Sequence, residues 1–207
     1  MKISINTQSS IKIESGKTIY IDPYKIENNV NDADIIFITH DHYDHLDIES
    51  INKIKKENTF LIVPDTIITK IFPSGFNMKY VRGVFPNQEY TIEGIHFETI
   101  PSYNLNKEFH PRSKSYVGYI LDLESRVLIS GDTDATDELK RVTCDIALIP
   151  IGGVYTMDYK EAASVINEIK PSKVIPTHYG SIVGEITDGE KFKELINPEI
   201  EVELMIH

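Results

Sequence analysis

Four consecutive apolar residues, Ile35-Ile36-Phe37-Ile38, run directly into Thr39-His40-Asp41-His42-Tyr43-Asp44-His45. An apolar run of this kind reads as a strand buried on both faces. Whatever this chain folds into must therefore cover both faces of a sheet, and must place three histidines and two aspartates where that strand leaves it. His40 and His42, two apart in extended chain, point the same way and can grip one ion. Asp44 and His45 follow once the chain turns towards a helix, and can address a second position beside the first. Imidazole and carboxylate suit Zn²⁺, Fe or Mn²⁺; a histidine-rich surface loop with no such role is the bland alternative.

Two further stretches repeat the pattern. Val127-Leu128-Ile129-Ser130-Gly131-Asp132-Thr133-Asp134 puts Asp132 just past a strand, with Gly131 letting the backbone approach closely. Lys173-Val174-Ile175-Pro176-Thr177-His178 does the same for His178. Either alone reads as a satisfied polar residue, but three strand ends carrying His or Asp make a metal centre.

The rest of the chain is organised around such strands. Ile11–Glu14 and Thr18–Ile21 flank a turn at Ser15-Gly16-Lys17, and Asp22-Pro23 ends the ladder because proline has no donor. Ile48, Ile51 and Ile54 recur at helical spacing behind Asp47, a candidate N-cap. Phe60–Val63 reads as a buried strand, Glu89–Ile100 as one long alternating strand, and Tyr116–Leu123 with Val127–Ser130 as a pair. In the last third, Ile146–Pro150 is a strand and Asp158-x-x-Glu161 is a capping-box variant. It starts a helix with Ala162, Val165, Ile166 and Ile169 inward. Lys173–Pro176 is the next strand. Asp188 is expected to cap a helix burying Phe192, Leu195 and Ile196, and Ile200–Ile206 to end the chain as a strand. Strands precede helices in each half, and no repeat or linker intervenes. The expectation is one layered α/β domain over residues 1–207, long enough to bury a core without staples.

These motifs strongly resemble the metallo-β-lactamase superfamily. The resemblance is carried by His40-x-His42-x-Asp44-His45, Gly131-Asp132-Thr133-Asp134, Pro176-Thr177-His178-Tyr179-Gly180 and the earlier Ile21-Asp22-Pro23, and so covers most of the chain. Tyr103-Asn104…Phe109-His110-Pro111 and Pro150-Ile151-Gly152-Gly153 look like the small stand-alone members near the ascorbate-6-phosphate lactonase branch. The resemblance implies an α/β fold, the four-layered αββα sandwich. It also implies a binuclear site, His40 and His42 on one ion, Asp44, His45 and His178 on the other, and Asp132 bridging. Many relatives take the third histidine of the first ion from a loop where this chain has Ser102-Tyr103-Asn104. His110, within a 101–115 loop long enough to fold back, is the candidate here. The alternative is that His110 lines the entrance while Asn104 or water completes the shell. His96, by strand alternation, reads as a plain strand residue, and His207 as a frayed terminus.

The implied activity is that of a metal-dependent hydrolase using a metal-bound hydroxide on a small ester, lactone or phosphoester, with Asp44 orienting it and shuttling the proton. Two divalent ions are expected, zinc first, with Mn²⁺ or Fe as alternatives. Asp22, Thr39 and Asp134 are candidates to fix imidazole tautomers. Tyr43, Tyr155 and Tyr179 could reach substrate or simply pack. A non-catalytic metal-binding or sensing protein is the alternative of different class, as is an iron site with other chemistry. A nuclease fits less well. Lys+Arg 21 against Asp+Glu 32 leaves 21 − 32 = −11, which repels polyanions, and the chain is short for the domain inserted in the superfamily's RNA-processing nucleases. The expected partner is a small molecule, with no membrane and with homo-oligomers left open. The lone Cys144 lies in an apolar run and reads as a buried structural thiol. Without an apolar leader or span, the expected compartment is the cytoplasm.

Overall fold

The computed structural model describes residues 1–206, apart from the side chains of Pro73 and Ser74; His207, expected as a frayed terminus, lies outside the described residues. The chain divides into two compact units, Met1–Phe85 and a second from Pro86 onward.

The first unit holds a six-stranded sheet in chain order: β1 (Lys2–Ile5), β2 (Ile11–Ser15), β3 (Lys17–Ile21), β4 (Ala33–Phe37), β5 (Lys55–Pro64) and β6 (Val81–Val84). The β1–β2 and β2–β3 pairs are antiparallel, and β3 to β6 run parallel. The polar turn at Gly16 makes the hairpin, whereas a return to a parallel strand needs a crossover, here residues 22–32 and then α1 (Ile48–Ile54). Asp47 caps α1 by accepting from the Glu49 N–H, as the spacing predicts, and Ile51 and Ile54 are buried. Ile35, Ile36 and Phe37 are fully buried, which is what a central strand with no polar face requires. A 3₁₀ segment, Asp65–Ser74, follows β5 and was not foreseen from the residue pattern.

The second unit holds a seven-stranded sheet ordered β13-β12-β11-β10-β9-β8-β7. Its strands are β7 (Glu89–Ile92), β8 (Ile95–Pro101), β9 (Val117–Asp122), β10 (Arg126–Ile129), β11 (Ile146–Pro150), β12 (Lys173–Thr177) and β13 (Glu201–Val202). Again the hairpins come first, and β10 to β13 are parallel. The helix α2 (Tyr159–Ile169) begins with a complete capping box between Asp158 and Glu161. Ala162, Val165 and Ile166 of α2 pack with Leu128, Ala147, Ile149 and Val174 of the sheet and with Phe192 of α3 (Asp188–Leu195). Each buried Val or Ile contributes about 1.5–3 kcal/mol, so this face holds α2 down far more firmly than its cap does.

Four expectations are corrected. Glu89–Ile100 is not one strand, because Glu93 and Gly94 both take positive φ and fold it into the β7–β8 hairpin. Asp188 is the first residue of α3, not its cap; its carboxylate accepts from the Glu185 N–H and pairs with Lys191. Leu195 faces outward, 45 % exposed. The terminal strand is two residues long, pairing with β12 only at Lys173 and Val174. Cys144 is buried as expected, and desolvation, with Asp145 nearby, pushes its thiol up to about 12. Among the described residues no helix is long and apolar enough to cross a membrane.

Strand direction fixes where each sheet presents its loops. In the first unit β1, β3 and β4 run the same way, so loops 6–10, 22–32 and 38–47 leave one edge. In the second, β8, β10, β11 and β12 run the same way, and loops 102–116, 130–145, 151–158 and 178–187 leave one edge. The carboxyl edge of an open parallel sheet is where such folds bind ligands.

Candidate metal-binding residues

In the first unit, Asp22 follows β3 and His40 follows β4. The parallel pairing of those strands brings them together: the Asp22 N–H donates to the Phe37 carbonyl at 2.9 Å. Asp22 is fully buried and takes φ +46°, a backbone state that carboxylate residues tolerate better than most. Its carboxylate accepts from the Thr39 N–H at 2.8 Å and the Thr39 hydroxyl at 2.6 Å, and holds His45 Nδ1 at 2.7 Å. Burial pushes the Asp22 carboxyl up from the usual carboxylate range, while His45 and Thr39 pull it down.

These bonds assign the imidazoles. An Nδ1–H given to Asp22 leaves His45 Nε2 with its lone pair, the arrangement by which a carboxylate orients a metal-ligating histidine. His40 Nδ1 lies 3.0 Å from the Thr39 hydroxyl, whose proton goes to Asp22, so His40 Nε2 likewise keeps its lone pair. That nitrogen is 3.1 Å from His42 Nδ1, and Asp44 Oδ2 is 3.6 Å from His45 Nε2. The His42–His45 turn, with the His45 and Leu46 N–H groups donating to the His42 carbonyl, gathers these donors. His40 and His42 thus present their ring nitrogens to one common point. Lys70 pairs with Asp41 between the two histidines, a partner absent from the sequence reading.

In the second unit, Asp132 leaves β10 through Gly131, whose φ of +65° makes its role conformational. Asp132 Oδ2 lies 3.2 Å from His178 Nε2 and 3.5 Å from His110 Nε2, with all three residues buried. One carboxylate oxygen between two imidazole nitrogens is a donor set that a transition metal fits, as are the imidazoles and Asp44 of the first unit. His110 and His178 both take φ +57°, a state costing a non-glycine residue about 1–3 kcal/mol, so the surrounding loops must hold them there. His178 rests on Gly152: a Cβ there would overlap the His178 carbonyl oxygen and lie 2.7 Å from Val183 Cγ2. Gly152→Ala is expected to weaken metal affinity at least about 10-fold by displacing His178, measured by competition with a chromogenic chelator. Unchanged affinity would show that the close approach does not set the histidine.

His110 is held by Asn104. The Asn104 N–H donates to the His110 carbonyl at 2.8 Å, and its side-chain amide donates to the carbonyls of Phe109 (2.9 Å) and Tyr155 (2.7 Å). The buried Asn104 Oδ1 has no hydrogen-bond partner among the described residues, which leaves an acceptor for a ligand at this edge. Arg112 donates to the Tyr103 hydroxyl at 2.9 Å and pairs with Glu138 at 2.7 Å, which pins the far side of the loop. None of these tying roles was legible from spacing.

Other expectations divide. Thr39 and Asp22 do orient imidazoles. Asp134 does not: its carboxylate accepts from the Leu105 N–H and pairs with Lys107, bracing the 102–115 loop. Tyr179 is buried and its ring packs beside Gly189, so it packs and does not reach out. Tyr43 is exposed and meets Tyr24 edge-on, and Tyr155 meets Phe109 edge-on at 4.9 Å. His96 bonds Asp122 across β8–β9, a strand residue as expected. Gln8 gave no sequence signal. It is fully buried in the loop after β1, at φ +50°, with neither side-chain amide atom bonded among the described residues.

Residues 2–178 match a family described as "Beta-lactamase superfamily domain". A "UPF0173 protein" of Pyrococcus abyssi is 31% identical over 85% of this chain and 81% of its own length. A "UPF0173 metal-dependent hydrolase" of Thermococcus onnurineus is 26% identical over 98% of this chain and 95% of its own. A solved structure from Parabacteroides distasonis superposes with a TM-score of 0.82 at 28% identity, covering 99% of this chain and 93% of that one.

Proposed function

This chain belongs to the metallo-β-lactamase superfamily, in its UPF0173 group, and on that premise we propose that it is a metal-dependent hydrolase of small esters, lactones or phosphoesters. The observation that carries the reading is the Asp22–His45 bond, with Thr39 beside it, which sets imidazole lone pairs for coordination at the carboxyl edge of a sheet. In the superfamily's pattern His40, His42, Asp44 and His45 of the first unit, and His110, Asp132 and His178 of the second, are the residues that would hold the metal. Zinc is the first candidate.

Bound divalent ions would supply a nucleophile from water at neutral pH, by lowering its pKa toward about 7. The chain's own residues do the rest. Asp22 and Thr39 keep His45 and His40 in the tautomer that presents Nε2. The carboxylate of Asp44 takes the proton that the attacking water gives up and returns it to the departing oxygen. Asn104, through its bonds to His110 and Tyr155, holds the loop that flanks the substrate.

The test is turnover of chromogenic esters, lactones and phosphodiesters before and after chelation. Activity lost to EDTA and restored by one particular metal is the expected result. Metal held stoichiometrically with no turnover across the panel would contradict hydrolysis and favour a sensing protein.

A further inference from the structure

We propose that the substrate is an uncharged molecule with an apolar group, seated against Phe109, Val154 and Tyr155 beside His110; the inference rests on the hydrolase reading and names its substrate class. The two loops that carry these residues are tied into one piece. Asn104 donates to the carbonyls of both Phe109 and Tyr155, and the two rings meet edge-on at 4.9 Å. Phe109 precedes His110 directly, and the Asn104 N–H holds the His110 carbonyl, so the rings are anchored to the same framework as the histidine.

The side chains presented are apolar although they face solvent. Phe109 is 46% exposed and Val154 68%. Val154 also stands at φ +45°, where a β-branched residue is strained and Gly or Asn would be at ease. A strained, exposed valine next to an exposed phenylalanine and its half-buried tyrosine partner is poorly explained by folding and well explained by contact with a ligand.

Charge points the same way. Residues 150–157 and 178–187 contain no Lys or Arg. Between 102 and 112 the cations are Lys107 and Arg112, and each is already paired, with Asp134 and Glu138. A phosphate or carboxylate tail would find no uncommitted cation in these stretches. What they do offer beside the apolar surface is the buried acceptor Asn104 Oδ1, ready for an N–H or O–H of a neutral ligand.

The experiment compares p-nitrophenyl acetate, butyrate, hexanoate and octanoate with bis(p-nitrophenyl) phosphate, in the wild type and in Phe109→Ala. The expected result is kcat/KM rising about 2–4-fold per methylene in the wild type, with the octanoate-to-acetate ratio collapsing in Phe109→Ala. A second readout avoids turnover. The chain has no tryptophan, so Tyr155→Trp supplies a single emitter at the site. Octanamide should shift the indole emission saturably and inorganic phosphate should not. Ester turnover with no chain-length gradient, or a gradient unchanged in Phe109→Ala, overturns the apolar subsite and leaves the hydrolase reading intact. No turnover of any substrate, with octanamide still shifting the emission of the Tyr155→Trp variant, overturns hydrolysis and supports the subsite. An emission that ignores octanamide overturns the subsite.

Discussion

Asp132→Ala is expected to lose metal and hydrolytic activity together, each by at least about 100-fold, while the protein stays folded. The size follows from where the carboxylate sits. Its Oδ2 is 3.2 Å from His178 Nε2 and 3.5 Å from His110 Nε2, so these two imidazoles are arranged around one oxygen. Partners that merely orient a ligand cost about 10–100-fold when removed, and a shared ligand atom costs more. The fold survives because main-chain bonds secure this turn: the Asp132 carbonyl accepts from the Ser102 hydroxyl at 2.9 Å, and Gly131 supplies the positive φ. Asp132→Asn separates charge from shape and should fail almost as badly. Metal content by mass spectrometry, kcat/KM and a melting curve check the prediction. Full metal occupancy in the alanine variant would remove the bridging role.

The second large effect is expected at Asp22, which touches no reacting atom. Asp22→Asn should weaken metal affinity about 10–100-fold and destabilise the protein by about 1–3 kcal/mol. Volume is unchanged, and Asn accepts positive φ as readily as Asp, so hydrogen bonding alone is altered. One carboxylate oxygen accepts from the Thr39 N–H, and the other from the Thr39 hydroxyl and His45. An amide placed with its oxygen towards His45 sets an NH₂ against the Thr39 N–H. Turned round, it faces His45 Nδ1 with a donor, forcing the proton to Nε2 and blocking that nitrogen as a ligand. Isothermal titration with zinc and chemical denaturation measure the two consequences. Wild-type affinity in Asp22→Asn would show that the imidazole needs no orienting carboxylate.

The strands that end in ligands were legible because burial on both faces leaves no polar residue in the run. Ile35–Phe37, Val127–Ile129 and Val174–Pro176 are apolar for that reason, and the first polar residues after them mark the edge. The capping box of α2 was equally readable, since Asp158 and Glu161 satisfy each other's backbone donors locally. The misreadings arose where a local pattern was outvoted. Alternation continued through Glu93-Gly94, but two consecutive positive φ values turned the chain. Asp188 had the chemistry of a cap, yet its carboxylate is used by Glu185 and Lys191. At the candidate site the candidate ligands stood out by His/Asp clustering, and the structure gathers them at strand ends. What held them was not: the Asn104 tie, the Arg112–Tyr103–Glu138 clamp and the Gly152 contact depend on residues far apart in sequence. Spacing carries no trace of such pairs.

The central claim is that the imidazoles and carboxylates at these strand ends coordinate transition metal. Diffraction from metal-loaded crystals, never exposed to chelator and recorded on either side of the metal's absorption edge, tests it directly. The account predicts anomalous density about 2.0–2.2 Å from nitrogens of His40, His42, His45, His110 and His178 and from an oxygen of Asp132. Crystals of folded, metal-loaded protein with no anomalous density at any of those imidazoles would contradict it.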